Sequence, residues 1–207
     1  MDTIFVKMEG KNGRIYELNP KHYKRLEDVF IKAKTEMTSP SIFHMLSWIT
    51  DAEKFRSSKR DLIKLFKRKL KKQYKNLKQT VPDTLIAYSI EYKETDLSEI
   101  TIQGCVDNLE HLNTEEKLPF LHLHFYVIAD CNKCMPQGFV KYATAALNEI
   151  EGLSKARYFK SKSGQIYKRL NIEAEAADAF HRMKYIAKIE QKTPEIPYRE
   201  TFGASLV

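Results

Sequence analysis

An apolar stretch with two histidines two residues apart, Leu121-His122-Leu123-His124-Phe125-Tyr126-Val127-Ile128, constrains this chain more than any other segment. Side chains alternate across a strand, so His122 and His124 share one face while Leu121, Leu123, Phe125 and Val127 line the other. Two imidazoles side by side can hold a divalent metal. Taken alone, the pair reads more readily as two structural histidines with satisfied hydrogen bonds, so its meaning depends on what else the chain supplies. About sixty residues later a tyrosine stands in a helical stretch, Arg182-Met183-Lys184-Tyr185-Ile186-Ala187-Lys188. A tyrosine hydroxyl can attack a phosphate polarised by such a metal.

The chain of 207 residues, 43% hydrophobic, is long enough for one sizeable core with a helical appendage. It has no run of about 18 apolar residues, which excludes a membrane-crossing helix. The start, Met1-Asp2-Thr3-Ile4-Phe5, lacks a secretion-signal pattern, and three cysteines make no disulfide framework. A cytoplasmic protein with no membrane partner is expected. Cys131-Asn132-Lys133-Cys134 has the spacing of half a zinc knuckle, but only Cys105 remains to join it, so a turn is the expected meaning.

The net charge of +8 favours a polyanionic partner. Its distribution is uneven. Lys54 to Lys78 holds twelve Lys or Arg against Asp61 alone, a net of +11, whereas Glu94 to Leu118 holds seven acids against Lys117, a net of −6. The basic stretch is a candidate phosphate-facing surface, with Lys59, Arg60, Lys67, Arg68, Lys71 and Lys72 as its DNA-binding residues. It carries no base-specific pattern, and a solvated helix face explains it equally well. Tyr126, Tyr158 and Phe159 could stack on unpaired bases or simply pack.

The layout predicts an α+β fold, a central antiparallel β-sheet flanked by helices, with a helical, basic N-terminal part. Residues 3–17 read as a hairpin turning at Gly10-Lys11-Asn12-Gly13, followed by a helix from Pro20 to about Thr35. Phe43 to Trp48 reads as a short helix and Asp51 to Gln79 as one long helix with a stripe through Phe55, Leu62, Phe66, Leu70 and Leu77. Strands are expected at 84–92, 100–106 and across the histidines, a helix from Gly138 to about Glu151, a hairpin over 156–170, and the tyrosine helix over 173–190. Two parts follow: residues 1–80, packed on a catalytic domain of residues 81–207.

A third metal ligand is expected from the strand or loop next to the histidines. Glu110 is best placed, with Glu115, Glu116 or His111 as alternatives. Two imidazoles and one carboxylate suit Mn²⁺ or Mg²⁺, although imidazole also accepts zinc, cobalt or nickel. In the tyrosine helix, Ala176, Phe180, Met183 and Ala187 mark the buried stripe. Tyr185 falls about 200° from Met183 at about 100° per residue, on the side of His181 and Lys188. Lys188 could steady a phenolate or the scissile phosphate, and His181 could relay a proton. The alternative is an ordinary packed tyrosine, one of eleven.

The order of an apolar strand, a His-hydrophobe-His strand and a helix with Tyr-x-x-Lys resembles the HUH endonucleases that initiate rolling-circle replication. Asn108-Leu109-Glu110 followed by His122-Leu123-His124-Phe125 is similar to the metal-site region of small rolling-circle plasmid initiators. Met183 to Lys188, with Arg199-Glu200-Thr201-Phe202-Gly203-Ala204-Ser205 after it, resembles the replication proteins of filamentous phages and prophages. The resemblance covers about residues 84–205 and implies metal on His122 and His124 and a nucleophilic Tyr185. It implies a nicking and joining endonuclease on single-stranded or hairpin origin DNA, with a host helicase and polymerase as partners. His181 stands where some plasmid initiators carry a glutamate, and the helix has no second tyrosine. Two other readings remain open: a non-catalytic DNA-binding regulator using helix 54–78, and a zinc hydrolase that uses the histidines without Tyr185.

Overall fold

The histidine strand is the axis of the fold. In the computed structural model this strand, β5 (Lys117–Asp130), pairs antiparallel with β4 (Thr84–Asp96) on one side and β3 (Pro40–Trp48) on the other. The short strands β6 (Arg157–Tyr158) and β7 (Lys168–Arg169) both pair with the outer edge of β3, and β8 (Phe202–Ala204) pairs with the outer edge of β4. The result is a six-stranded antiparallel sheet. A separate hairpin joins β1 (Val6–Glu9) to β2 (Ile15–Leu18). The structure describes residues 6–10, 13–59, 61–96, 117–161, 164–189 and 201–205, and the backbone alone at 56–59, 93–96 and 117–120.

Helices cover both faces of the sheet. Phe43, Met45, Phe125 and Val127 face α3 (Leu62–Asn76) and α4 (Pro136–Asn148), which contribute Phe66, Leu70, Phe139 and Val140. Ile42, Leu85, Tyr126 and Ile128 point the other way, into a layer with Leu26 and Val29 of α1 (Pro20–Glu36) and Ala176 and Met183 of α5 (Glu173–Lys184). Each large apolar side chain buried this way contributes roughly 1.5–3 kcal/mol before entropy is counted. Asn19 starts α1 by accepting the His22 amide at 3.0 Å, with Pro20 in the first turn, where its missing N–H costs nothing.

The α+β character and the antiparallel sheet agree with the sequence reading, as do the hairpin, α1, β4 and β5. Four expectations need correction. Phe43 to Trp48 is strand: β3 is buried on both faces, and its polar residues Ser41, His44 and Ser47 fall every third position, so it lacks the period-two alternation that marks a half-buried strand. Because β3 lies inside the main sheet, residues 1–80 supply one of its central strands. The long basic helix is two helices, α2 (Ala52–Lys59) and α3, because Asp51 caps the first through the Lys54 amide at 2.9 Å and Asp61 opens the second. Residues 157–158 and 168–169 pair with β3, not with each other. Finally, α5 ends at Lys184 and the chain tightens into a 3₁₀ turn, Tyr185–Ala187. The expected strand at 100–106 lies outside the described residues.

The last described segment returns to the sheet. Thr201 is buried and its carbonyl accepts the Ile90 amide at 2.8 Å, while the His22 ring stacks on Phe202 at 4.0 Å. Gly203 lies flat against Tyr88, and a Cβ there would run into that ring. No described helix is long and apolar enough to cross a membrane.

Candidate metal centre

Strand register builds the site. In the β4–β5 ladder Glu91 sits directly opposite His122, and Ser89 opposite His124. The alternation that sends Ile86, Tyr88 and Ile90 into one layer sends Glu91 to the other, where the two histidines point. Glu91 Oε2 lies 3.8 Å from His122 Nε2 and 3.6 Å from His124 Nε2. One ligand atom from each of the three lies within 4.8 Å of the others. Ligands held about 2.1 Å from one ion sit roughly 3–3.4 Å apart at octahedral or tetrahedral angles, so small rotations would close this set on a cation. It is the one such group of three or more among the described residues.

A fourth polar side chain supports the set. His44, from β3, places Nε2 3.0 Å from His124 Nδ1. If His124 offers Nε2 to a metal, its Nδ1 carries the proton and donates to His44, which fixes the tautomer and the ring plane. Burial, helped by the nearby Arg182 guanidinium, pulls the His44 pKa down to about 4 and keeps it a neutral acceptor. Its ring is stacked on Tyr126 at 4.2 Å. On the other flank, the Trp48 ring lies 5.4 Å from that of His122.

Lys188 joins this centre to the tyrosine. Its ammonium is buried, 2.8 Å from Glu91 Oε2 and 3.8 Å from the centroid of the Tyr185 ring. The backbone here is pinned to the N-terminal hairpin: Asn19 N–H donates to the Ala187 carbonyl and Ile189 N–H to that of Glu17. Tyr185 is half-buried, edge-on to Tyr16 at 4.8 Å. Burial, then a hydrogen bond with Tyr16, pushes its phenol above the ordinary value of 10.

Tyr185, His181 and His124 line one open cleft of about 310 Å³, together with His44, Phe159 and Arg182. The structure thus gathers His122, His124, Tyr185, His181 and Lys188 around one site. Glu110, like Glu115, Glu116 and His111, lies outside the described residues. Lys67, Arg68, Lys71 and Lys72 sit on α3, across the sheet from the histidines. Lys59 is described by backbone alone and Arg60 not at all.

Glu91 and His44 escaped the sequence reading. Ser89-Ile90-Glu91 does show a buried-strand alternation with an acid in it, but only the pairing register tells that its polar face meets His122. His44 was hidden by the helical reading of its segment. Cys131 is buried and Cys134 partly so, and burial raises the pKa of both thiols, that of Cys131 to about 12. No third described ligand joins them. No family model matches the chain, and neither a curated protein nor a solved structure matches it.

Proposed function

We propose that this chain is a metal-dependent, single-tyrosine DNA nicking and joining endonuclease that starts rolling-circle replication on single-stranded or hairpin origin DNA. The observation that carries the reading is the cleft that Tyr185 shares with His124, a member of the Glu91-His122-His124 group. A reacting phosphate there would meet the nucleophile and the charge-withdrawing centre together.

The donor set of two imidazoles and a carboxylate fits Mn²⁺ or Mg²⁺, and when bound such an ion supplies Lewis-acid charge to a phosphoryl oxygen. In the forward step the Tyr185 oxygen bonds to phosphorus as the bond from phosphorus to the 3′-oxygen breaks. The phenolic proton passes to a base, and His181 on the same cleft wall is the candidate. The leaving 3′-oxygen takes a proton from water. The products are a 5′-phosphotyrosyl strand and a free 3′-hydroxyl that a host polymerase can extend behind a host helicase. Attack by a later 3′-hydroxyl on the phosphotyrosine restores the phenol and joins the strand. Lys188 is a positioning residue here: its ammonium fixes Glu91 and lies beneath the tyrosine ring.

Covalent capture tests this. The protein, with Mn²⁺ and a pool of single-stranded and hairpin DNA, is expected to give an adduct that survives denaturing detergent. That adduct should vanish with EDTA, with Tyr185→Phe and with Glu91→Gln. An adduct retained by Tyr185→Phe would assign the nucleophile elsewhere. Two imidazoles and a carboxylate also form a hydrolytic zinc site. Tightly held zinc, with phosphodiester hydrolysis indifferent to Tyr185→Phe, would favour that second reading.

A further inference from the structure

A cleft of about 830 Å³ lies between the C-terminal end of α1, one side of α3 and the connection that enters β4. Lys32, Lys67, Lys71, Lys75 and Lys78 line it against two acids, Glu36 and Asp83. Lys32 already pairs with Glu36 at 3.7 Å. The helix sorts its charges by row. Lys69 and Lys72 turn to Glu149 at the end of α4, at 3.3 and 3.5 Å. Lys67, Lys71 and Lys75 recur every four residues, about 6 Å apart along the axis, and face the cleft.

Lys78 adds an independent sign. It follows the end of α3 in the left-handed region, at φ 55, where Gln79 N–H returns to the Tyr74 carbonyl. Glycine is the usual residue at such a helix end, and a side chain there costs roughly 1 kcal/mol. The chain keeps a lysine in the strained position, with its side chain on the cleft wall.

We propose that this cleft grips the phosphodiester backbone of duplex DNA flanking the strand that Tyr185 cleaves, an inference that rests on the nicking reading above. Five ammonium groups against two carboxylates leave the lining positive, which suits a densely charged polyanion such as the duplex backbone, with one charge about every 1.7 Å. No aromatic side chain lines the cleft, so it lacks the stacking platform of a single-strand groove; the aromatics cluster at the metal centre instead. The cleft sits at the start of β4 and Glu91 lies just past the middle of that strand, on the face opposite α3. Thr84 borders the cleft and Glu91 is seven residues on, about 23 Å along an extended strand, or roughly seven base-pair steps.

The test measures binding of mixed-sequence duplex DNA to the full chain in EDTA across a range of salt, by fluorescence anisotropy. Joint replacement of Lys67, Lys71 and Lys75 by Ala is expected to weaken binding and to lower the slope of log affinity against log salt by about 2–3. Joint Lys64→Ala and Lys69→Ala, on other rows of the same helix, should leave the slope unchanged. Lys78→Gly should melt at a higher temperature yet bind less tightly. Equal slope losses in the two sets, no loss in the triple variant, or a stabilised Lys78→Gly that binds fully would each overturn the assignment. Wild-type adduct formation on single-stranded DNA is scored in parallel. Lysine-dependent duplex binding without any adduct would sink the nicking reading, whereas an adduct without lysine-dependent duplex binding would sink this one.

Discussion

Glu91 and Lys188 meet at 2.8 Å in the interior, with 0% and 2% of their side chains exposed. Removing one partner of a buried pair strands the other charge and typically costs about 3–5 kcal/mol. Glu91 also faces two imidazoles, so a divalent cation could take over the neutralisation. Lys188→Met is therefore expected to melt about 10 °C below the wild type in EDTA. It should also gain more than the wild type when Mn²⁺ is added, because no ammonium competes for the carboxylate. Thermal melts of both proteins with and without Mn²⁺ check this. An equal metal-induced rise in the two would mean that ammonium and cation do not share Glu91.

Trp48 is the chain's sole tryptophan, and its ring lies 5.4 Å from that of His122. Its fluorescence is expected to change in a saturable way as Mn²⁺ is titrated, with a stoichiometry of one. His122→Ala should abolish the response. A response that survives that substitution would place the metal elsewhere.

Tyr185 holds its proton because of burial and of Tyr16. A raised phenol pKa means that the phenolate appears only at higher pH than in a free tyrosine, so adduct formation should climb with pH across the neutral range. Tyr16→Phe removes the hydrogen bond and should move the Tyr185 ionisation downward, toward 10. Phenolate absorbance in an alkaline titration, compared with Tyr16→Phe and Tyr185→Phe, reads the shift. An unmoved curve would show that the two hydroxyls are not coupled.

The histidine strand was legible because alternation in sequence becomes two faces in space, and β4 because a run rich in aromatic and β-branched residues follows the Pro82-Asp83 break. β3 was not. A strand covered on both sides carries no period-two signature, and the three-residue spacing of His44 and Ser47 makes Phe43 to Trp48 look helical from sequence alone. The same physics hid His44. Glu91 was hidden for a different reason: a carboxylate seven residues into a strand acquires partners only when the register is set, and register comes from long-range pairing. Tyr185 was placed by extending an α-helix that in fact tightens to a 3₁₀ turn. It still reaches the cleft with His181 because the tightening begins only at Tyr185 itself.

His44 offers the last test. Its neutral ring can accept from His124 Nδ1 at 3.0 Å, which leaves Nε2 of His124 free of a proton and aimed toward Glu91. Outer partners of this kind typically change metal affinity by about 10- to 100-fold. His44→Phe keeps an aromatic ring against Tyr126 but removes the acceptor, so His124 can adopt the other tautomer, whose Nε2 carries a proton and cannot ligate. Calorimetric titration with Mn²⁺ should show affinity falling by about that factor while the melting temperature in EDTA moves little. His44→Gln, which offers an acceptor oxygen, should recover part of the loss. Affinity unchanged in His44→Phe would mean that the His44–His124 contact is packing alone, with the ligand tautomer set by something else.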